Sequence, residues 1–302
     1  MNSTEQIAWV RAESTTSVNS KDYTDAVILD LLNKQMSTVF EPLIADCRAG
    51  YWYHVLTRQL GAGNPFVRLP PRAAAFEQFD ISYDNGSCWE PLSEALEAEA
   101  QDWERIKCNK PQAYVLRGST AVLLPAAASA EVLLRAKVII RPSELVTPQA
   151  AGIITNINTT TRVLTVTSLP QDKKTNVVIS GNVTLDAIEP ANCYELSLFD
   201  APCTVQDDTH VLVLPGPTLM RMQQGDYLRV ANQSDWPQIM HSYHHLLGSA
   251  AAVPICRQRD LNERADILTD QVRNALMRYQ DFLKPRVRIG THTPIQHGWS
   301  DD

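Results

Sequence analysis

The chain has 302 residues, a formal net charge of −7, and 44 % hydrophobic and 20 % charged residues. That length suits about two domains with a hydrophobic core that needs no disulfide staples. The acidic balance argues against a general nucleic-acid binder, which needs a basic face to displace counterions, and no apolar run reaches the roughly 18–20 residues of a membrane-crossing helix.

The start of the chain is polar (Asn2, Ser3, Thr4, Glu5) and has no signal-peptide core, so a product made in a cytoplasm is expected. The cysteines at 47, 88, 108, 193, 203 and 256 form no C-x-x-C pair. Free thiols packed as small apolar groups are the expectation, with a Cys193–Cys203 bridge as the alternative.

Residues 1–21 are rich in Ser, Thr, Asn and charge, and read as a flexible arm with Trp9 as its one large apolar residue. A helix is expected from Thr24 to Cys47, because Val27, Ile28, Leu31, Leu32, Met36, Val39, Phe40, Leu43 and Ile44 recur at helical spacing. Aromatic, alternating residues at Tyr51–Leu60 predict a strand, with weaker strands at Phe66–Leu69 and Phe76–Tyr83. From Pro91 to Lys107, Leu92, Leu96, Ala100, Trp103 and Ile106 predict a second helix. Its opposite face would carry Glu90, Glu94, Glu97, Glu99, Asp102 and Glu104. Tyr114–Leu124 and Val132–Ile140 read as a strand pair.

From Ser143 to Val230 charged residues thin out and Thr, Val, Asn and Ile dominate. Short strand-like runs recur about every ten residues, which suggests a small barrel or sandwich inserted between two halves of a core. Gly225–Val230 then reads as a strand. Ser234 or Asp235 reads as a cap and Pro237 as a first helical residue, followed by an apolar stripe at Ile239, Tyr243, Leu246, Leu247 and Ala250 that Pro254 should end or kink. The clearest periodicity follows from about Asp260 to Lys284. Leu261, Ala265, Leu268, Val272, Ala275, Leu276, Tyr279, Phe282 and Leu283 share one face, and Pro285 stops the helix.

The order of parts over Gly225–Ile289 resembles the C-terminal half of tailed-bacteriophage head-to-tail adaptor (connector, or head completion) proteins. It comprises a Gly-Asp-Tyr-Leu strand, a Pro-initiated helix, an Ala-rich turn, a long charged amphipathic helix and a short Arg-rich tail. The resemblance covers about a fifth of the chain closely. With it, the expected fold class is α+β: a helical-bundle core with a small sheet, built from residues 22–142 and 231–284, interrupted by an all-β domain at 143–230 and followed by an extended tail at 285–302.

The resemblance implies a structural virion protein, made in the host cytoplasm and located in the neck between capsid and tail. Its partners would be the portal protein, tail or nozzle proteins and further copies of itself, about 12 in a ring, with genomic DNA passing through without sequence-specific contact. Arg286, Arg288, Ile289, Ile295 and Trp299 would dock the tail onto the portal, the apolar residues as anchors. Glu90, Glu94, Glu97 and Asp102 would face the channel and repel DNA phosphates. The alternative is a tail or baseplate protein whose β domain contacts tail or receptor.

Sequence motifs for chemistry are sparse. His241, His244 and His245 have the spacing of ligands on one helix face, but no glutamate base or nearby acid accompanies them, and surface or interface imidazoles are the expectation. No phosphate-binding glycine loop and no G-x-S-x-G elbow occurs. No catalytic residue, metal or cofactor is proposed, and an enzyme of unrecognised class is the least favoured reading.

Overall fold

The structure is a computed structural model. It describes residues 1–47, 49–60, 64–70, 72–84, 86–105, 110–125, 132–147, 151–172, 177–190, 196–214 and 222–284, without the side chains of 49, 50, 58, 59 and 104. Helix and strand take near-equal shares, about 34 % and 35 %.

The helices are α1 (Ser3–Glu13), α2 (Asp25–Gln35), α3 (Glu41–Cys47), α4 (Ala100–Arg105), α5 (His244–Gln258) and α6 (Asn262–Leu283). A single wider π turn, Met36–Phe40, joins α2 to α3. Before the barrel the strands are β1 (Tyr53–Leu60), β2 (Phe66–Arg68), β3 (Ala73–Ser82), β4 (Glu90–Pro91), β5 (Ser93–Glu94), β6 (Ala113–Arg117), β7 (Thr120–Leu124), β8 (Val132–Ile140) and β9 (Glu144–Leu145). They continue as β10 (Gly152–Asn158), β11 (Val163–Val166), β12 (Gln171–Asp172), β13 (Val177–Val178), β14 (Asn182–Ile188), β15 (Leu196–Val205), β16 (His210–Val213), β17 (Tyr227–Val230) and β18 (Gln233–Ser234).

The expected helical-bundle core is not what forms. Two four-stranded sheets, ordered β1-β8-β3-β4 and β2-β7-β6-β5, stand where residues 51–140 were expected to add only a small sheet to a bundle. The reason is the period of the apolar pattern. In β8, Val132, Leu134, Ala136, Val138 and Ile140 are buried and alternate with half-buried neighbours, so one face of a strand is satisfied and no helical stripe exists. Buried side chains of the helices and of this sheet belong to one cluster. One continuous core therefore joins Ile28, Leu32 and Phe40 from the helices to Phe79, Ile81, Leu134 and Val138 from the strands.

Strand pairing also differs from expectation. Tyr114–Leu124 is a tight hairpin of β6 and β7, turning at Gly118 with φ +63°, which a Cβ-free residue adopts without strain. β7 pairs β2 and β6, whereas β8 pairs β1 and β3 in the other sheet.

Six strands spanning 152–230 close into a barrel in the order β10-β11-β16-β15-β14-β17. Its interior is a second core of Leu164, Leu185, Ala187, Val211, Val213 and Leu228. At one end of the barrel Ile188, Leu196 and Phe199 leave that interior and pack into the main core.

The segments entering and leaving the barrel lie side by side. β9 pairs β18 in parallel, Glu144 opposite Gln233 and Leu145 opposite Ser234. Two helices fasten to this clasp. Asn33 of α2 donates through Nδ2 to the Leu145 carbonyl at 3.1 Å and accepts from the Leu145 N–H at 2.7 Å. Ser3 of α1 donates its N–H to the Asp235 carbonyl at 2.7 Å and its hydroxyl to the Val146 carbonyl at 2.6 Å. The expected flexible arm at 1–21 is thus corrected. Residues 3–13 form a helix capped by Asn2, whose side chain accepts from Glu5 N–H while Glu5 returns a bond to the Asn2 N–H.

Behind the clasp, Arg72 meets Asp186 of β14 as a buried ion pair, with Asp200 at 3.7 Å and the Ser143 hydroxyl at 3.0 Å. The Asp186 carboxylate also accepts from the N–H groups of Asp200 at 2.7 Å and Asn232 at 3.0 Å. A second buried pair, Arg229–Asp235 at 2.9 Å, lies on the same return segment. Removing one partner of such a pair leaves an uncompensated buried charge, at a cost of about 3–5 kcal/mol. Asp186→Ala is expected to lower the unfolding free energy by that order, read as a lower urea midpoint, whereas Arg72→Met with Asp186→Leu recovers part of the loss. Equilibrium unfolding of the three proteins checks it.

Candidate interaction surface

The polypeptide between β18 and α5 does not start a helix at Asp235–Pro237 as its cap-like residues predict. Ser234 accepts from the Trp236 N–H at 3.0 Å, and Asp235 is committed to Arg229. With those side chains engaged, the chain stays irregular until a turn at His241–Tyr243, and α5 begins at His244. Pro254 neither ends nor interrupts the assignment of α5, which runs through it to Gln258. A proline there removes one bond to the preceding turn, and the packing of a mostly buried helix tolerates that loss.

α5 is buried on almost every side because it is small. Gly248, Ala250, Ala251 and Ala252 let α1, α2 and α6 approach it together. A Cβ on Gly248 would sit 2.8 Å from Trp9 Cδ1 and 3.1 Å from Gln6 Oε1, so α1 crosses at a point only glycine permits. Across the crossing, Gln6 Nε2 donates to the His244 carbonyl at 2.7 Å and Trp9 Nε1 to Ser249 Oγ at 3.1 Å.

The histidine triplet divides. His244 is buried, and its Nε2 lies 2.8 Å from the Ile239 carbonyl, which requires an N–H there. Burial pushes its pKa down to about 4, against the hydrogen bond to Ile239, which pulls it up. His241 stacks on it at 4.7 Å and reaches the Pro190 carbonyl, whereas His245 meets Trp9 edge-on at 6.2 Å. Each of the three thus has partners within the protein, and among the described residues no group of three metal-ligating side chains assembles.

α6 is buried on one face and exposed on the other. It buries Ala265, Leu268, Val272, Tyr279 and Leu283, as its sequence period predicts, with Tyr279 stacked on Tyr243 at 4.1 Å. Ile267, Met277 and Phe282 remain 53 %, 50 % and 43 % exposed on the same helix. Between α6, α5 and the α2–α3 run lies an open apolar groove of about 520 Å³, walled by Val39, Leu43, Val253, Val272, Leu276 and Met277. Sequence reasoning placed Val39, Leu43, Val272 and Leu276 on buried faces and did not single out Val253 or Met277. The groove was hidden because a helix face that is half covered has the same apolar period as one that is fully covered.

The expected acidic helix is a correction. Among the described residues of 91–107 only Ala100–Arg105 is helical, while Glu90–Pro91 pairs β3 and Ser93–Glu94 pairs β6 in parallel. The segment bridges the edges of both sheets through Leu92 N–H to the Phe79 carbonyl and Ala95 N–H to the Tyr114 carbonyl. Edge carbonyls accept these bonds, and the helical stripe is not the buried one, since Leu96 is 69 % exposed. Glu90, Glu94, Glu97 and Asp102 are all exposed but sit on different elements. Glu97 is held by Arg117 at 2.7 Å, and Asp102 lies 3.5 Å from Arg105. Arg286, Arg288, Ile289, Ile295 and Trp299 lie outside the described residues.

Cys203, the alternative bridge partner, is a free buried thiol whose pKa burial pushes up to about 12. No helix among the described residues is long and apolar enough to cross a membrane. Comparison with known proteins finds no family model and no curated protein that matches this chain.

The buried imidazole makes stability pH-dependent. His244 stays neutral when folded down to about pH 4, but takes up a proton near 6.5 when unfolded. Its contribution is complete above 6.5 and is lost as pH falls toward 4, on the order of 3 kcal/mol in all. His244→Gln should flatten the fall of the urea midpoint between pH 7 and 4.5 relative to the unsubstituted chain. Parallel slopes for the two proteins would contradict it.

Proposed function

We propose that this chain is a structural virion protein, a head-to-tail adaptor whose copies form a ring of about 12 below the portal, extend the DNA channel and dock tail components. The observation that carries this reading is the α5–α6 hairpin, with its open groove and its exposed Ile267, Met277 and Phe282. It is a surface shaped for other protein segments. It directly precedes residues 285–302, the C-terminal extension that the resemblance over Gly225–Ile289 associates with portal attachment. A ring needs two different complementary faces on each protomer, and this hairpin supplies one of them.

In this reading Arg286, Arg288, Ile289, Ile295 and Trp299 anchor the subunit on the portal, and Glu90, Glu94, Glu97 and Asp102 keep passing DNA at a distance. Glu90 and Glu94 would carry most of that effect, because Glu97 and Asp102 already have arginine partners. The protein is made in the host cytoplasm and resides in the neck of the particle.

One observation favours a second reading, a tail or baseplate protein working through its barrel. The β12–β13 ribbon lies outside the closed barrel order, and its Val177 and Val178 are exposed. Such an apolar strand edge is a place where a tail component could add.

Deletion of 285–302 separates the two. The adaptor reading predicts a protein that folds with unchanged far-UV circular dichroism but no longer co-purifies with portal. Undiminished portal binding by the shortened chain would contradict the adaptor reading. Loss of tail-protein binding on Val177→Asp with Val178→Asp, with portal never bound, would favour the second.

A further inference from the structure

α1 is held by polar contacts more than by apolar burial. Of its 11 residues only Ile7 and Val10 are buried hydrophobics, whereas Ser3, Gln6 and Arg11 are buried polar side chains. The C-terminal end is tied to the α5–α6 connection and to α2. Arg259 donates to the Ser14 and Thr15 carbonyls at 2.7 and 2.9 Å, Arg264 to the Glu13 carbonyl, and Arg11 to Asp25 at 2.6 Å. The N-terminal end rests on the clasp through Ser3 and on His244. Nε2 of that ring donates to the Ile239 carbonyl, so in the neutral ring Nδ1 is bare and accepts from the Met1 amino group 3.1 Å away. A helix of this length is below the roughly 12–15 residues that stay helical alone in water. α1 therefore unwinds when it leaves its seat, and its amides report whether it is docked.

We propose that α1 is an acid-released strap: a second proton on His244 frees residues 3–13 from α5 while the barrel, the sheets and α6 stay folded. The charged and titratable groups facing the ring come from two elements. α1 brings the Met1 ammonium and, 3.7 Å from it, Glu5; the turn before α5 brings His241, stacked at 4.7 Å. On α5 itself His245 sits edge-on to Trp9, and Asp235 beyond β18 is committed to Arg229. A proton on Nδ1 finds the Met1 carbonyl at 3.0 Å, but the ammonium then loses its acceptor and meets a like charge in a buried site. Burial keeps the seated ring neutral down to about pH 4, against the Ile239 bond, whereas a released ring takes its proton near 6.5. Protons therefore bind the released form, whose share rises about tenfold per pH unit between these limits as pH falls. Release bares the Gly248 crossing and the Val146 and Asp235 carbonyls that Ser3 covers when docked.

This release is a property of the single subunit and stands apart from the adaptor reading. Amide hydrogen exchange of the full-length chain at pH 7 and pH 5, each corrected for the intrinsic rate at that pH, tests it. Residues 3–13 should open roughly 20-fold more at pH 5 than at pH 7, while the amides of α6 and of the barrel stay protected. His244→Gln should remove that difference, and Glu5→Gln should keep it. Gly248→Ala, whose added Cβ meets Trp9, should leave 3–13 unprotected at both pH values with α6 still protected, which tests the strap without altering the histidine. Equal protection of 3–13 at both pH values in the unsubstituted chain would overturn the proposal, as would opening of 3–13 only together with α6. An acid response that persists in His244→Gln, or protection of 3–13 retained in Gly248→Ala, would do the same. None of these outcomes alters the portal co-purification result, so failure of this inference is distinguishable from failure of the adaptor reading.

Discussion

The Asp186 carboxylate holds the architecture together. It sits on β14 of the barrel and accepts from a guanidinium of the sheet domain, from its neighbouring strand at Asp200, and from Asn232 on the segment that returns to the helices. A carboxylate of this kind, 1 % exposed, is tolerable only when its lone pairs are all engaged. The network therefore specifies one relative placement of barrel and sheet. The parallel β9–β18 clasp beside it extends the same constraint to α1 through Ser3 and to α2 through Asn33.

That anchoring explains the free helical surface. With α1 and α2 pinned to the clasp, both converge on α5, whose glycine and alanines accept them closely. α6 then covers the remaining side of α5 but does not close over Val39 and Leu43, and the apolar trough is the gap that is left. An apolar gap of this size has a cost in water. Because its walls are already-formed helix faces, it is a preorganised seat for a segment, with less ordering entropy to be lost on the protein side. The proposed link between fold and function runs through this surface: a ring subunit needs a face on the hairpin that is stable without its neighbours and ready to receive them.

How far this could be read from the residues depends on which interaction decided each element. α6 and β8 were legible because burial alone shapes them, and their periods of 3.6 and 2 are clean. α1 was not, because the side chains it buries include Ser3, Gln6 and Arg11, which a composition-based reading assigns to solvent. These residues are inside because each has a specific partner, and partners are not visible along the chain. The same blindness misplaced the start of α5, where Ser234 and Asp235 look like caps but serve the clasp, and the helix at 91–107, where sheet edges captured the backbone. The bundle expectation failed because the period-2 runs of 51–140 join into two four-stranded sheets, partly by distant pairings such as β1 with β8 that no local pattern shows. Of the candidate site, the apolar stripe of α6 was visible as core, but the half of it that stays open could only be found once α2–α3 and α5 were in place.

The most direct test of the adaptor account is a reconstruction of the neck of purified particles that carry this protein. The account predicts a ring of about twelve copies between capsid and tail, each fitting the barrel, sheets and helices as one body with its hairpin toward the portal. Particles whose portal vertex contains no density fitting this chain would contradict it.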